Sequence, residues 1–200
     1  MLTYQYLPLL VEAVGIKDTN TKLLLNAIYS VTGWVFAVFG ARFHDIFGRR
    51  KMLMGATIGM VLTLSVVAGT AAGYEQHPDN KRMSSASIAF IYIFGCVFAF
   101  SFTPMQPIYP GEVCDNIQRA KGMGVFKLTS GAASFVNTFA APIALKRIRY
   151  WFYVFFVFWD LFEFAIIYFF FVETKDRTLE ELDRVFEADN PRKASTRKTQ

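Results

Sequence analysis

Charge is missing from this chain where a soluble protein would scatter it. Residues 23–41 hold no Asp, Glu, Lys or Arg over 19 positions, and residues 52–74 hold none over 23. A helix needs about 20 apolar residues, each rising about 1.5 Å, to cross about 30 Å of hydrocarbon. Both runs have that length. Cysteine is nearly absent as well: Cys96 lies in an apolar run, and Cys114, 18 positions on, lies beside its end. That spacing argues against a disulfide framework and against a metal site. The two histidines, His44 and His77, fall in loops on opposite sides of the expected membrane, and no Ser, Cys or carboxylate group stands at catalytic spacing. Neither an enzyme nor a cofactor is expected. A basic n-region and a small-residue cleavage site are both missing before Glu12, so the apolar first residues do not read as a signal peptide.

What is present is grease: 54% of the residues are hydrophobic and 17% aromatic, with 22 Phe in 200 residues, far from the mixture of a soluble domain. A third charge-free run covers 83–111, and a fourth covers 128–145, which the uncharged 122–126 extends across Lys127. A fifth, 150–172, is interrupted only by Asp160 and Glu163. These runs predict an all-α membrane protein with five transmembrane helices, at about 23–43, 52–73, 85–109, 122–145 and 150–172. Residues 1–12 are apolar but too few to cross, and read as the end of a span whose start is missing. Thr178 followed by Glu181 forms a capping box, and Leu179, Leu182 and Phe186 then share one face, predicting an amphipathic surface helix within 173–189. Residues 190–200 turn to Lys, Arg, Ser and Thr, the composition of a disordered tail.

Between the first two runs stands a polar knot, Asp45-Ile46-Phe47-Gly48-Arg49-Arg50-Lys51. Two spans so closely joined form an antiparallel hairpin with the knot at one surface. Placing that surface in the cytoplasm puts 14 Lys and Arg inside, the C-terminus among them, and 7 outside, as the positive-inside rule requires. The Lys146, Arg147 and Arg149 cluster opposes this bias. The net charge of +5 is spread among loops, which suits anionic lipid headgroups and not nucleic acid. Glu112 and Arg119 fall at the same surface. If both are helical they lie on one face about 10 Å apart and must find other partners: Arg49 or Arg50 for Glu112, and Asp45 or Glu173 for Arg119. Alternatively they are solvated charges that mark topology.

The residues Gly40 and Asp45-x-x-Gly48-Arg49-Arg50, Glu112 with Arg119-x-Lys121-Gly122, and Glu173-Thr174-Lys175 leading into Arg177-Thr178-Leu179-Glu180-Glu181 stand in register over nearly the whole chain. Together they resemble the sugar porter family of the major facilitator superfamily, in its fungal lactose permease-like and hexose transporter branch. The resemblance implies the C-terminal six-helix half of that fold, the end of helix 7 plus helices 8 to 12, in the plasma membrane. It also implies alternating-access transport of a mono- or disaccharide, with Asp45, Arg49, Arg50, Glu112, Arg119 and Glu173 as a conformational latch. A rocking mechanism needs both halves, so a partner is expected: the missing N-terminal half, or a second chain supplying it.

The family's sugar-contacting positions are altered here, falling on Gly33, Pro107 and Ser130-Gly131. Phe102, Gln106 and Asn137 are left as candidate sugar contacts, each also readable as a helix-packing residue. Asp160 and Glu163, three apart in one span, are possible intramembrane functional acids. Glu163 could pair with Lys127, one of the two could carry a proton, or both could be structural. A transporter-like sugar sensor or a non-functional truncated copy are the alternative readings. The 28 residues after Val172 are few for a sensor's long tail.

Overall fold

The computed structural model describes residues 18–76, 81–114, 118–148, 151–188 and 191–196, and the apolar segment 1–12 lies outside them. All regular structure among the described residues is helical: α1 Thr19–Phe47, α2 Arg49–Gln76, α3 Lys81–Val113, α4 Arg119–Ile148, α5 Trp151–Phe170, α6 Leu179–Glu187 and α7 Pro191–Thr196. The first four helices overrun the apolar runs at both ends, and a polar residue caps the first of them. Asp18 accepts hydrogen bonds from the Thr21 amide at 3.0 Å and the Thr21 hydroxyl at 2.5 Å, the N-cap arrangement.

α3 packs against both α1 and α2, and α5 packs on α2. Two apolar clusters fasten these helices, and α4 joins one of them through Ala141. Tyr29, Val67, Ile91 and Ala141 form the one toward the far end, where the Tyr92 hydroxyl donates to the Leu25 carbonyl at 2.5 Å. Leu53, Met105 and Ile167 form the one nearest the polar knot. The α1–α3 contact depends on Gly40. A Cβ there would strike the backbone carbonyl of Phe100, the very carbonyl whose helical donor is removed by Pro104. Only glycine lets the two backbones come so close, as in other membrane helix pairs. Away from these seams the surface is apolar: Trp34, Leu128 and Phe170 are 69%, 76% and 77% exposed, which is unstable in water and natural in lipid.

Four helices, α1, α2, α3 and α5, are long and apolar enough to span a membrane. The fifth expected span, α4, has the length at 30 residues but not the composition. Gly124, Thr129, Ser130, Gly131, Ser134, Asn137 and Thr138 dilute its apolar residues. One of its hydroxyls turns back to the helix, that of Thr138 to the Ser134 carbonyl at 2.8 Å, and so presents no unpaired group to lipid. α6 opens with the expected capping box, Thr178 to Glu181 in both directions. The stretch expected to lack structure does not do so throughout: residues 191–196 form α7, held by contacts to the segment after α5 described below.

Candidate functional site

Gly48 breaks the chain between α1 and α2 at φ 95° and ψ 151°, a conformation essentially reserved for glycine. α2 therefore begins without a side chain at its cap, and its first amides need an acceptor from elsewhere. Glu173 supplies it across 124 residues of sequence. Its carboxylate accepts from the Arg49 amide at 2.8 Å and the Arg50 amide at 3.3 Å, and also from the Lys175 amide at 3.2 Å. The carboxylate so occupies the space beside Gly48 that a Cβ there would meet Glu173 Oε2 at 2.7 Å. An anion on a helix N-terminus is favoured by the amides and by the helix dipole together.

The Arg49 side chain turns the other way. One terminal nitrogen lies 3.0 Å from Glu112 at the end of α3 and 3.1 Å from Asp45 one turn back. The two contacts differ in worth, because Glu112 is 25% exposed and Asp45 is 72% exposed, so the latter is screened by water. The second oxygen of Glu112 accepts from the Thr174 hydroxyl at 2.6 Å. Arg50 is buried. It donates to the Tyr168 carbonyl near the end of α5 at 2.7 Å, with its guanidinium 5.7 Å from the Tyr168 ring. Tyr109 closes the cluster, its hydroxyl donating to the Val172 carbonyl at 3.2 Å and accepting from the Val172 amide at 3.1 Å. Lys175 reaches back to the Ile46 carbonyl at 2.7 Å.

Asp45, Arg49, Arg50, Glu112 and Glu173 thus meet at one end of the bundle. Arg119 does not join them. The expected partners Asp45 and Glu173 are both engaged at α2, and the Arg119 Nε is buried without a hydrogen-bond partner among the described residues. Tyr109, Thr174 and Tyr168 are the contributors that spacing did not single out. Thr174 lay inside a motif, whereas the Tyr168 contribution is a backbone carbonyl, which no side-chain pattern encodes.

A cavity of about 600 Å³ opens between α3, α4 and α5 beside this cluster. Phe102 and Gln106 line it from α3, Phe126 and Ser130 from α4, and Trp159 and Glu163 from α5. It gathers Phe102, Gln106 and Glu163 but not Asn137, which lies two turns beyond Ser130. No Glu163–Lys127 ion pair forms among the described residues. Lys127 is exposed and lies over the Phe126 ring at 5.9 Å. Asp160 is 6% exposed, and its Oδ2 has no hydrogen-bond partner among the described residues. Those residues also contain no group of three or more His, Cys, Asp or Glu able to hold a metal ion.

The chain belongs to the sugar (and other) transporter family, whose profile matches residues 1–186. It is therefore a transporter-family membrane chain and not an enzyme. The high-affinity glucose transporter of Kluyveromyces lactis is 31% identical over 84% of this chain. An MFS-type transporter of Aspergillus oryzae is 27% identical over 92% of it, and the quinate permease of Neurospora terricola is 29% identical over 91%. The chain spans about a third of the length of these curated relatives (33%, 34% and 35%). The inward-open xylose transporter of E. coli has the same fold over 91% of this chain and 40% of its own, with a TM-score of 0.67 at 22% identity.

Proposed function

We propose that this chain is the C-terminal half of a sugar porter: helices 8 to 12 correspond to α1 to α5, α4 is the fifth membrane span, and the charged cluster is a latch at the cytoplasmic surface. The observation that carries this is the convergence of Glu112 and Glu173, from two separate segments, on the first turn of α2. Such ends-only charge pairing holds helix tips together while water is excluded and yields when water enters, which is what alternating access asks of a gate. The substrate class is a polyhydroxylated ring, a mono- or disaccharide, in keeping with glucose and quinate carriers among the relatives. The membrane is the plasma membrane, with the C-terminus inside. Phe102 and Gln106 provide a ring face and an amide, the two elements a sugar contact needs.

Transport then requires helices that these five cannot supply. Uptake of labelled hexose in a transport-deficient yeast tests this, with the chain expressed alone and together with the N-terminal half of the Kluyveromyces lactis glucose transporter. No uptake from the chain alone and measurable uptake from the pair is the expected result. Uptake from the chain alone overturns the half reading, and none from a membrane-inserted pair overturns transport. In the active pair, Arg49→Ala is expected to lower the uptake rate at least tenfold while leaving membrane insertion intact.

A further inference from the structure

The clip that holds α7 is not used by any step of transport. Ser195 is 5% exposed, and its hydroxyl oxygen accepts from the Glu173 amide at 3.3 Å. The Arg177 guanidinium donates to the carbonyls of Ala194 and Ser195 at 3.1 and 2.9 Å. Glu173 is therefore shared: its carboxylate caps α2 and its amide holds the tail. The sequence around the clip is Arg192-Lys193-Ala194-Ser195-Thr196-Arg197-Lys198. A serine with Arg three positions and Lys two positions before it is a charge pattern that basic-directed protein kinases select with acidic subsites.

We propose that Ser195 is a phosphorylation site and that its modification unclips the tail from the Glu173 cluster. The kinase would transfer the γ-phosphoryl group of ATP. The Ser195 O–H bond and the β–γ P–O bond of ATP break, a bond from Ser195 Oγ to phosphorus forms, ADP leaves, and the proton passes to the kinase's catalytic base. The docked geometry makes the coupling obligatory in both directions. A buried hydroxyl cannot enter a kinase cleft, so only the undocked tail is a substrate. A phosphoserine carries about −1.5 to −2 charges and three further oxygens, which a 5% exposed position cannot hold or solvate, so the modified tail does not return. The proposal rests on the reading above only for sidedness, since ATP and kinases are cytoplasmic.

The test uses the full chain in detergent micelles, where sidedness plays no part, so its failure is distinct from failure of the transporter reading. The chain, Arg177→Ala and Ser195→Ala are incubated with a basic-directed serine/threonine kinase and ATP. Phosphate is located by tandem mass spectrometry, and amide exchange is followed across 171–178. Slow modification at Ser195 is expected in the unaltered chain, and about tenfold faster modification in Arg177→Ala, where two charge-assisted bonds no longer oppose undocking. The phosphorylated chain should exchange the Glu173 amide faster than the unmodified chain. No phosphate at Ser195 in either chain, equal rates in both, or modification without faster exchange at Glu173 would each overturn the proposal. Ser195→Ala separates modification of the neighbouring Thr196, and phosphate confined to Thr196 would also overturn it.

Discussion

Glu173 and Asp160 are both carboxylates withdrawn from water, and the protein treats them in opposite ways. Glu173 accepts from three backbone amides at the start of α2 and the segment after α5. Asp160, ten residues into α5, keeps one buried oxygen without a hydrogen-bond partner among the described residues. The difference follows from where helices have free donors. The first four amides of a helix lack internal partners, whereas a mid-helix residue sees only amides already used in the ladder. An acid at a helix tip can therefore be structural. An acid in the middle of a span, with an oxygen left without a donor, is costly and by default points to function.

Three substitutions at the tips should sharpen this contrast, beginning with the largest effect. Glu173→Ala removes the acceptor for two α2 amides and for the Lys175 amide while leaving the backbone amide that meets Ser195, and should destabilise the purified chain in detergent by about 3 kcal/mol. The check is its thermal unfolding midpoint. Gly48→Ala forces a side chain into a conformation that costs about 1–3 kcal/mol and pushes it against the Glu173 carboxylate. Its loss should be about 2 kcal/mol, and the added loss should be smaller when it is combined with Glu173→Ala, because the obstructing group is then gone and only the backbone strain remains. Glu112→Gln keeps a hydrogen-bonding oxygen for Thr174 but removes the charge facing Arg49, for a loss of about 1 kcal/mol that shrinks as salt is raised. If Glu112→Gln costs more than Glu173→Ala, side-chain ion pairing and not helix capping holds the cluster.

How much of this was legible in the sequence depends on whether the partner was a side chain. Charge-free runs revealed four apolar helices directly, because the hydrocarbon length imposes a residue count. α4 was legible from the charge-free run 128–145 but not by apolarity, since its hydroxyls and glycines make the same length read as polar. Arg49 and Glu112 could be matched by sign and surface, and Arg49 does take Glu112. Sign and surface also point Arg119 to Glu173, but Glu173 is bound to amides, which every residue has and no letter advertises. Residues 191–196 were misjudged for the same reason. Their composition is that of a solvated tail, and the order comes from Arg177 binding backbone carbonyls of Ala194 and Ser195.

Asp160→Asn carries the smallest expected change and the most weight for the contrast. The amide matches the carboxylate in size, so the packing against α2 that buries the site is undisturbed, and the only loss is the charge. Were Asp160 a structural tie like Glu173, the substitution would cost at least as much as Glu112→Gln. With no hydrogen-bond partner for Oδ2 among the described residues, removing the charge relieves a burial cost instead. The unfolding midpoint should hold or rise, by the equivalent of at most about 1 kcal/mol. A fall would place a donor against Asp160 and erase the distinction between tip and mid-span acids. With stability held, any loss of hexose uptake in the reconstituted pair would be a loss of function and not of fold, and would assign the acid a part in the transport cycle.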